Sequence, residues 1–221
     1  MGFVATVFFI VIALILAGLI LGLLFPYFHH WDEKRNCRKK VYQVLKDYAE
    51  ENDQLLINDV SLYLDDARYL RHFDHILLCS KYVYLIQDIN YEGGIYGNLD
   101  DERLFLRKPD GNISTIENPV MINIHLRDAF ARYLNVPADQ CLFVSVVVYN
   151  DNLFVPGALI RKEQGNFFLT RRELCATINN SEHDEVADIQ ANVTEDLVQK
   201  LKDKSDMAKA MLEEERRSRK A

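Results

Sequence analysis

The chain changes texture at residue 28. Gly2–Phe28 reads GFVATVFFIVIALILAGLILGLLFPYF without one charged side chain, whereas every charged residue lies beyond it. As a helix these residues would reach about 40 Å, past the roughly 30 Å hydrocarbon core of a bilayer. The pattern predicts a transmembrane anchor over residues 2–28, with Pro26 ending the helix or kinking its last turn and Tyr27 and Trp31 at the interface. A cleaved signal peptide would need a basic start, a shorter apolar core and a small-residue cleavage site. Met1–Phe3 is uncharged and Pro26-Tyr27-Phe28 is bulky, so the anchor is the better reading.

Beyond the anchor the period of the apolar positions keeps switching. Val41, Val44, Leu45 and Tyr48 recur at helical spacing and predict a helix over residues 32–52, followed by a short strand and turn at Leu55–Asp59. His75–Cys79 and Tyr82–Ile86, separated by Ser80-Lys81, read as a hairpin. Gly93-Gly94 breaks the chain, Leu104–Leu106 is a short strand, and Pro109-Asp-Gly111 is a turn. Asn118 and Pro119 then open a helix carrying Ile122, Leu126, Phe130 and Leu134. Cys141–Tyr149 is almost continuously apolar, as a strand buried on both faces would be. Thr170-Arg-Arg-Glu173 is a capping box opening a helix through Ile178. From about Asp184, Val186, Ile189, Val193, Leu197 and Leu201 mark an amphipathic helix with basic residues Arg216–Lys220 at its end. That helix is expected to dock on the domain, with contact to a partner as the alternative.

This order predicts an α/β fold, a mixed sheet flanked by helices and preceded by one transmembrane helix. The divisions are the anchor 2–28, a basic juxtamembrane segment 29–40, an α/β domain 41–180 and a C-terminal amphipathic helix 184–221. The chain has 221 residues, with 26 Lys+Arg against 33 Asp+Glu, a net charge of −7. An acidic balance lacks the broad basic footprint of non-specific nucleic-acid binding. Lys34, Arg35, Arg38, Lys39 and Lys40 follow the anchor and no basic side chain precedes it. The positive-inside rule therefore puts the N-terminus outside and the domain in the cytoplasm, where Cys37, Cys79, Cys141 and Cys175 would stay reduced. The same basic residues either only set topology or also touch anionic lipid. Gly18 and Gly22 form a GxxxG spacing, a candidate seam for self-association, although small residues are common in membrane helices.

Three stretches carry a family resemblance: Phe73-Asp74-His75-Ile-Leu-Leu, then Tyr84-Leu-Ile86 leading to Asn90-Tyr91-x-Gly93-x-Ile95-Tyr96-Gly97, and Asn118-Pro119. Together they resemble the nuclease-related domain (NERD) family, a branch of the PD-(D/E)xK nucleases, over roughly residues 35–180. The resemblance implies a restriction-endonuclease-like fold. It also implies Mg²⁺ held by an Asp and a Glu, with a Lys two residues after the Glu to activate water.

Asp74 stands at the family's Asp position, but Gln87 and Ile89 stand where the Glu and Lys belong. A neutral amide is a poor Mg²⁺ ligand and Ile can neither ligate nor move a proton. Arg38 aligns with the Glu of the family's first helix, and Ile122 with a Gln after Asn-Pro. Asp88 is a candidate substitute carboxylate. Strand alternation points it away from Gln87 and Ile89, so a bulge would be needed to bring it in. His72, His75 and His125 match no established metal-ligand spacing. The expectation is a membrane-anchored, catalytically inactive NERD-like protein that binds or scaffolds at the cytoplasmic face. Asp74 would be a vestigial metal ligand, and Mg²⁺ would be needed only if activity is retained. A divergent Mg²⁺ nuclease recruiting Asp88 or Glu92 is the first alternative, and an oligomeric membrane scaffold using Gly18 and Gly22 is the second. The expected partners are the membrane and possible further copies of the chain; nucleic acid has no support from charge, and no protein partner is legible.

Overall fold

A computed structural model describes residues 2–64, 69–98, 100–135, 142–157, 162–163 and 165–218; Cys141 and the basic end Arg219-Lys220 lie outside them. The first element, α1 (Gly2–Glu51), is one helix that carries the uncharged segment and the predicted domain helix together. Pro26 lies inside it and does not end it. A proline inside a helix removes one intrahelical hydrogen bond and crowds the carbonyl four residues back, a local cost that does not end this helix. The true end comes at Asp53, which is left-handed (φ 54°), while the Asn52 side chain donates to the Tyr48 carbonyl. One stripe of α1 is buried: Glu33, Cys37, Val41, Leu45, Tyr48 and Ala49. Glu33 and Cys37 within the segment 29–40 are thus packed against the domain.

A meander follows: β1 (Leu55–Leu64), β2 (Tyr69–Leu78) and β3 (Tyr82–Ile89), antiparallel neighbours. The predicted turn at Asn58-Asp59 is instead continuous strand, paired on as far as Leu64 opposite Tyr69. Next come β4 (Gly93–Tyr96), β5 (Arg103–Arg107), β6 (Ile113–Glu117) and α2 (Pro119–Leu134). The chain continues with β7 (Leu142–Tyr149), β8 (Leu153–Phe154), β9 (Lys162–Glu163), β10 (Asn166–Thr170), α3 (Arg171–Glu182) and α4 (Ala191–Ser218). The last two helices run longer and start later, respectively, than the sequence pattern suggests.

The larger sheet has the order β1-β2-β3-β7-β10-β9 and the smaller β6-β5-β4-β8. Strands β3, β7 and β10 are mutually parallel, which places the near-continuously apolar β7 at the centre with both faces covered. On one face α1 and α3 pack through Val41, Leu45, Leu174 and Ile178 against Leu77, Tyr84 and Val146. On the other, α2 and α4 pack through Phe130, Leu134, Leu197 and Leu201 against Ile76, Leu85 and Phe73. The C-terminal helix thus docks on the domain. A third core joins the small sheet to the end of the large one, through Ile95, Leu104, Leu106, Val147 and Phe168.

Among the described residues no helix is long and apolar enough to cross a membrane. Side chains of α1 are described from Leu14, and the apolar ones from Leu14 to Phe25 stand exposed on all sides. Gly18 and Gly22 have open space where a Cβ would sit.

Cys37 and Cys79 are buried and free, and burial first of all pushes the Cys37 thiol up to about 12 and that of Cys79 higher still. Since the thiolate is the reactive form, iodoacetamide at pH 8 is expected to modify partly buried Cys175 before Cys37 and Cys79. Cys37 and Cys79 should react only on unfolding; mass spectrometry of a labelling time course reads the order.

Candidate active site and its occupation by a guanidinium

Period-2 alternation fails at the site. Early in β1, Leu56 faces the α1 side and Ile57 the α2 side; three residues after Ile57, Val60 and then Leu62 face the α2 side. The partner strand switches in step, with Phe73 on the α2 side and Leu77 and Cys79 on the α1 side. The hinge in β1 is Asp59, left-handed at φ 55°, and the β2–β3 pairing begins only at His75↔Ile86. As a result two successive residues, Asp74 and His75, both turn toward α1. There Arg38 pairs with Asp74, and Tyr42, one helical turn on, sets its ring nearly parallel to that of His75, 6.4 Å away.

The Asp74 side chain is only 5% exposed and both its carboxylate oxygens are engaged. It pairs with the Arg38 guanidinium, accepts from the Gln87 side-chain amide, and accepts from the Asp88 backbone N–H at 2.9 Å. His72 Nε2 lies 3.3 Å from it and 2.5 Å from Arg38 Nη2. Asp59 completes the cluster, 3.7 Å from the same guanidinium.

Asp88 lies beside Asp74, as the local twist of β2 brings Asp74 round to its side. Its Oδ2 is 2.9 Å from His75 Nε2, and His75 Nδ1 is 2.6 Å from Asn58 Oδ1. Its Oδ1 is buried with no hydrogen-bond partner. Burial is the main force on Asp88 and raises its pKa, against the lowering effect of His75. Ile89 takes no part: it packs into the core beneath the small sheet. His125 is exposed on α2, on the far side of the sheet, so the three histidines do not converge.

A second network lies one turn earlier along α1. Glu33 is fully buried and accepts from Lys40 Nζ and Arg171 Nη1, each at 2.8 Å. Arg171 also reaches Asp151 at 3.2 Å, with Arg172 at 3.4 Å from the same carboxylate. Burial works against the charge on Glu33, but the hydrogen bonds and positive charges of Lys40 and Arg171 outweigh it and hold the pKa below its ordinary value. Two of the basic residues read as juxtamembrane, Arg38 and Lys40, are tied to the domain by ion pairs, Arg38 with half of its side chain still exposed.

The motif residues outside this cluster hold backbone in place. Asn118 caps α2, accepting from the Val120 N–H at 3.0 Å and donating to the Asp101 carbonyl. Buried Asn123 donates to the Leu85 and Val146 carbonyls and to Ser145 Oγ, tying α2 to β3 and β7. Asn90 accepts from Asn150, which also donates to the Tyr91 carbonyl.

The family model of the nuclease-related domain matches residues 33–150, more than half of the sequence. The chain belongs to the nuclease-related domain family. The match opens at Glu33, within α1, and closes at Asn150, so it takes in the whole Asp74 cluster but, of the second network, only Glu33 and Lys40. No curated protein and no solved structure matches the chain. The NERD fold implies a Mg²⁺ site at Asp74, and the residues present do not fit one. Both Asp74 oxygens are already engaged, Oδ1 by Arg38 and Oδ2 by Gln87 and the Asp88 N–H, and the Gln87 amide presents its N–H to that carboxylate. A fixed guanidinium stands where a cation would have to approach. Among the described residues no group of three or more His, Cys, Asp or Glu could hold a metal ion. What the arrangement does do is fasten α1 to β2 and β3 through charge-assisted hydrogen bonds.

Proposed function

We propose that this NERD protein is a membrane-anchored, catalytically inactive member of its family that binds or scaffolds at the cytoplasmic membrane face. The observation that carries the inactivity is Arg38 on Asp74: a fixed positive charge takes the place of the metal, with no lysine at Ile89 to activate water. Support for the anchor is the uncharged stretch up to Phe28 on one helix with the domain, together with the all-round exposure of its apolar side chains from Leu14 to Phe25. The basic flank supports the cytoplasmic orientation. From Phe28 to buried Glu33 is about 8 Å of helix, so the domain would sit directly on the bilayer with no linker between them.

A divergent Mg²⁺ nuclease is the second reading, favoured by the unpartnered Oδ1 of Asp88 next to Asp74. One assay decides between them. The full chain in detergent, given single- and double-stranded DNA and RNA with Mg²⁺ or Mn²⁺, is expected to cleave nothing, and Asp74→Ala is expected to leave that unchanged. Metal-dependent cleavage that Asp74→Ala abolishes would overturn the inactive reading. Self-association through Gly18 and Gly22 is read separately, by cross-linking the chain with and without Gly18→Ile plus Gly22→Ile; dimers insensitive to that change would exclude this seam.

A further inference from the structure

The small sheet shows its two faces very differently. Its inner face, Ile95, Leu104, Leu106 and Leu153, is core. On its outer face the register brings Tyr96 beside Phe105 and Thr115, and Gly94 beside Arg107, Ile113 and Phe154. Tyr96 is 41% exposed, Phe105 53%, Phe154 61% and Ile113 68%, so each of the four strands presents one large apolar side chain on this face, with Tyr96 next to both Phe105 and Phe154. Such a patch on a folded domain marks a contact surface rather than scatter. Gly94 helps build it: a Cβ there would come within 3.0 Å of the Tyr96 ring, so the missing side chain lets Tyr96 lie flat beside Phe154, at 6.5 Å between ring centres.

The charges on this face are also distinctive in an acidic protein. Arg103 and Arg107 flank Phe105 on the same side of β5, both exposed, with no ion-pair partner among the described residues. Glu117, opposite Arg103, is the acidic side chain on the face. The position along the fold matters most. Phe154 lines a 340 Å³ depression together with Asp151 and Arg172, and Asp151 is bonded to Arg171, which holds Glu33 of α1. Phe154 thus lies at the end of the domain where α1 enters, the end marked by Glu33, which is itself about 8 Å of helix from Phe28.

We propose that the outer face of the small sheet rests on an anionic bilayer surface, with Phe105, Phe154, Tyr96 and Ile113 in the headgroup boundary and Arg103 and Arg107 on lipid phosphates. Aromatic rings and arginines suit that layer, where one end of a side chain is apolar and the other is wet. The inference rests on the anchored reading above and adds to it: α1 would tether the domain and the sheet face would fix its orientation.

The test uses the full chain in vesicles of phosphatidylcholine with about 25% phosphatidylglycerol, with ordinary or brominated acyl chains. Trp31 is the chain's one tryptophan and reports on the end of the uncharged segment. Phe105→Trp and Phe154→Trp, each combined with Trp31→Phe, report independently on the sheet. Brominated lipid is expected to quench Trp31 and both sheet reporters at least about twofold, since interfacial groups sit within several ångströms of the acyl boundary. Arg103→Gln plus Arg107→Gln is expected to reduce the sheet signal and spare that of Trp31. Quenching of Trp31 with both sheet reporters unaffected overturns the docked face while keeping the anchor; no quenching at any of the three overturns the anchor itself. Persistent protection of Cys37 and Cys79 from iodoacetamide verifies that each variant is folded.

Discussion

Replacing Gly93 by alanine is expected to cost about 4 kcal/mol or more, at the far end of what single substitutions do. Gly93 has φ +109°, outside the range L side chains adopt, which alone costs about 1–3 kcal/mol. It also has no room. An added Cβ would sit 2.0 Å from the Arg107 carbonyl oxygen and 2.9 Å from its carbon. Those are backbone atoms of β5, locked by the Gly94↔Arg107 pairing, so relief requires parting β4 from β5. Because Ile95, Leu104 and Leu106 would part with them, the loss should reach the core shared with β7 and α2. Gly111 is the control: its φ is +85°, but nothing lies within 4 Å of its Cβ position. Gly111→Ala should cost only about 1 kcal/mol, the conformational part. Denaturant unfolding of both variants measures the difference, and equal losses would refute the close approach.

Glu33→Ala is expected to destabilise by about 3–5 kcal/mol, the range for removing one partner of a buried ion pair. The change leaves Arg171 and Lys40 turned toward a space with no counter-charge, and frees α3 and the Asp151 segment from α1. At about 2–4 °C per kcal/mol for a chain of this size, the melting temperature should fall by roughly 10 °C. The pH dependence has a definite sign. The folded-state pKa of Glu33 is below its ordinary value of 4.5, so its contribution is complete above that value and is lost as pH falls through the folded pKa. Glu33→Gln should therefore narrow its deficit against the wild type steadily below about pH 4.5. A deficit independent of pH would show that packing, rather than charge, holds the Glu33 position.

The two networks explain why the site was half legible. Asp74, Gln87 and Ile89 were identifiable through the resemblance to the nuclease-related domain family, and at those positions the loss of the Glu-x-Lys chemistry follows from residue type. Arg38 was visible as a mismatch, but nothing in linear order brings it onto Asp74, 36 positions away. Glu33 left one signal that went unused. It lies four residues before Cys37 and eight before Val41, on the same stripe of α1, so a carboxylate there had to be buried and therefore paired. Arg171 and Asp151, which complete that pairing, carry no such mark.

Local chemistry made much of the fold readable. Uninterrupted apolarity separates the N-terminal stretch from the rest, a run such as Val144–Tyr149 suits a central strand, and Asn118-Pro119 starts a helix wherever it occurs, because each depends on side chains within a few residues. Period-2 alternation likewise predicts that Asp88 and Gln87 face opposite ways. What alternation cannot supply is a left-handed residue within a paired strand. Asp59 supplies it, the faces of β1 and β2 change over together, and Asp74, His75 and Asp88 meet under one helix. The same holds for α1, where a proline and a change of composition suggested two elements and packing of Glu33–Tyr48 on the sheet makes one. Residue types establish which chemistry is missing from the family's site. The contacts that fill it join segments far apart in sequence, and those depend on how the whole sheet is twisted and covered.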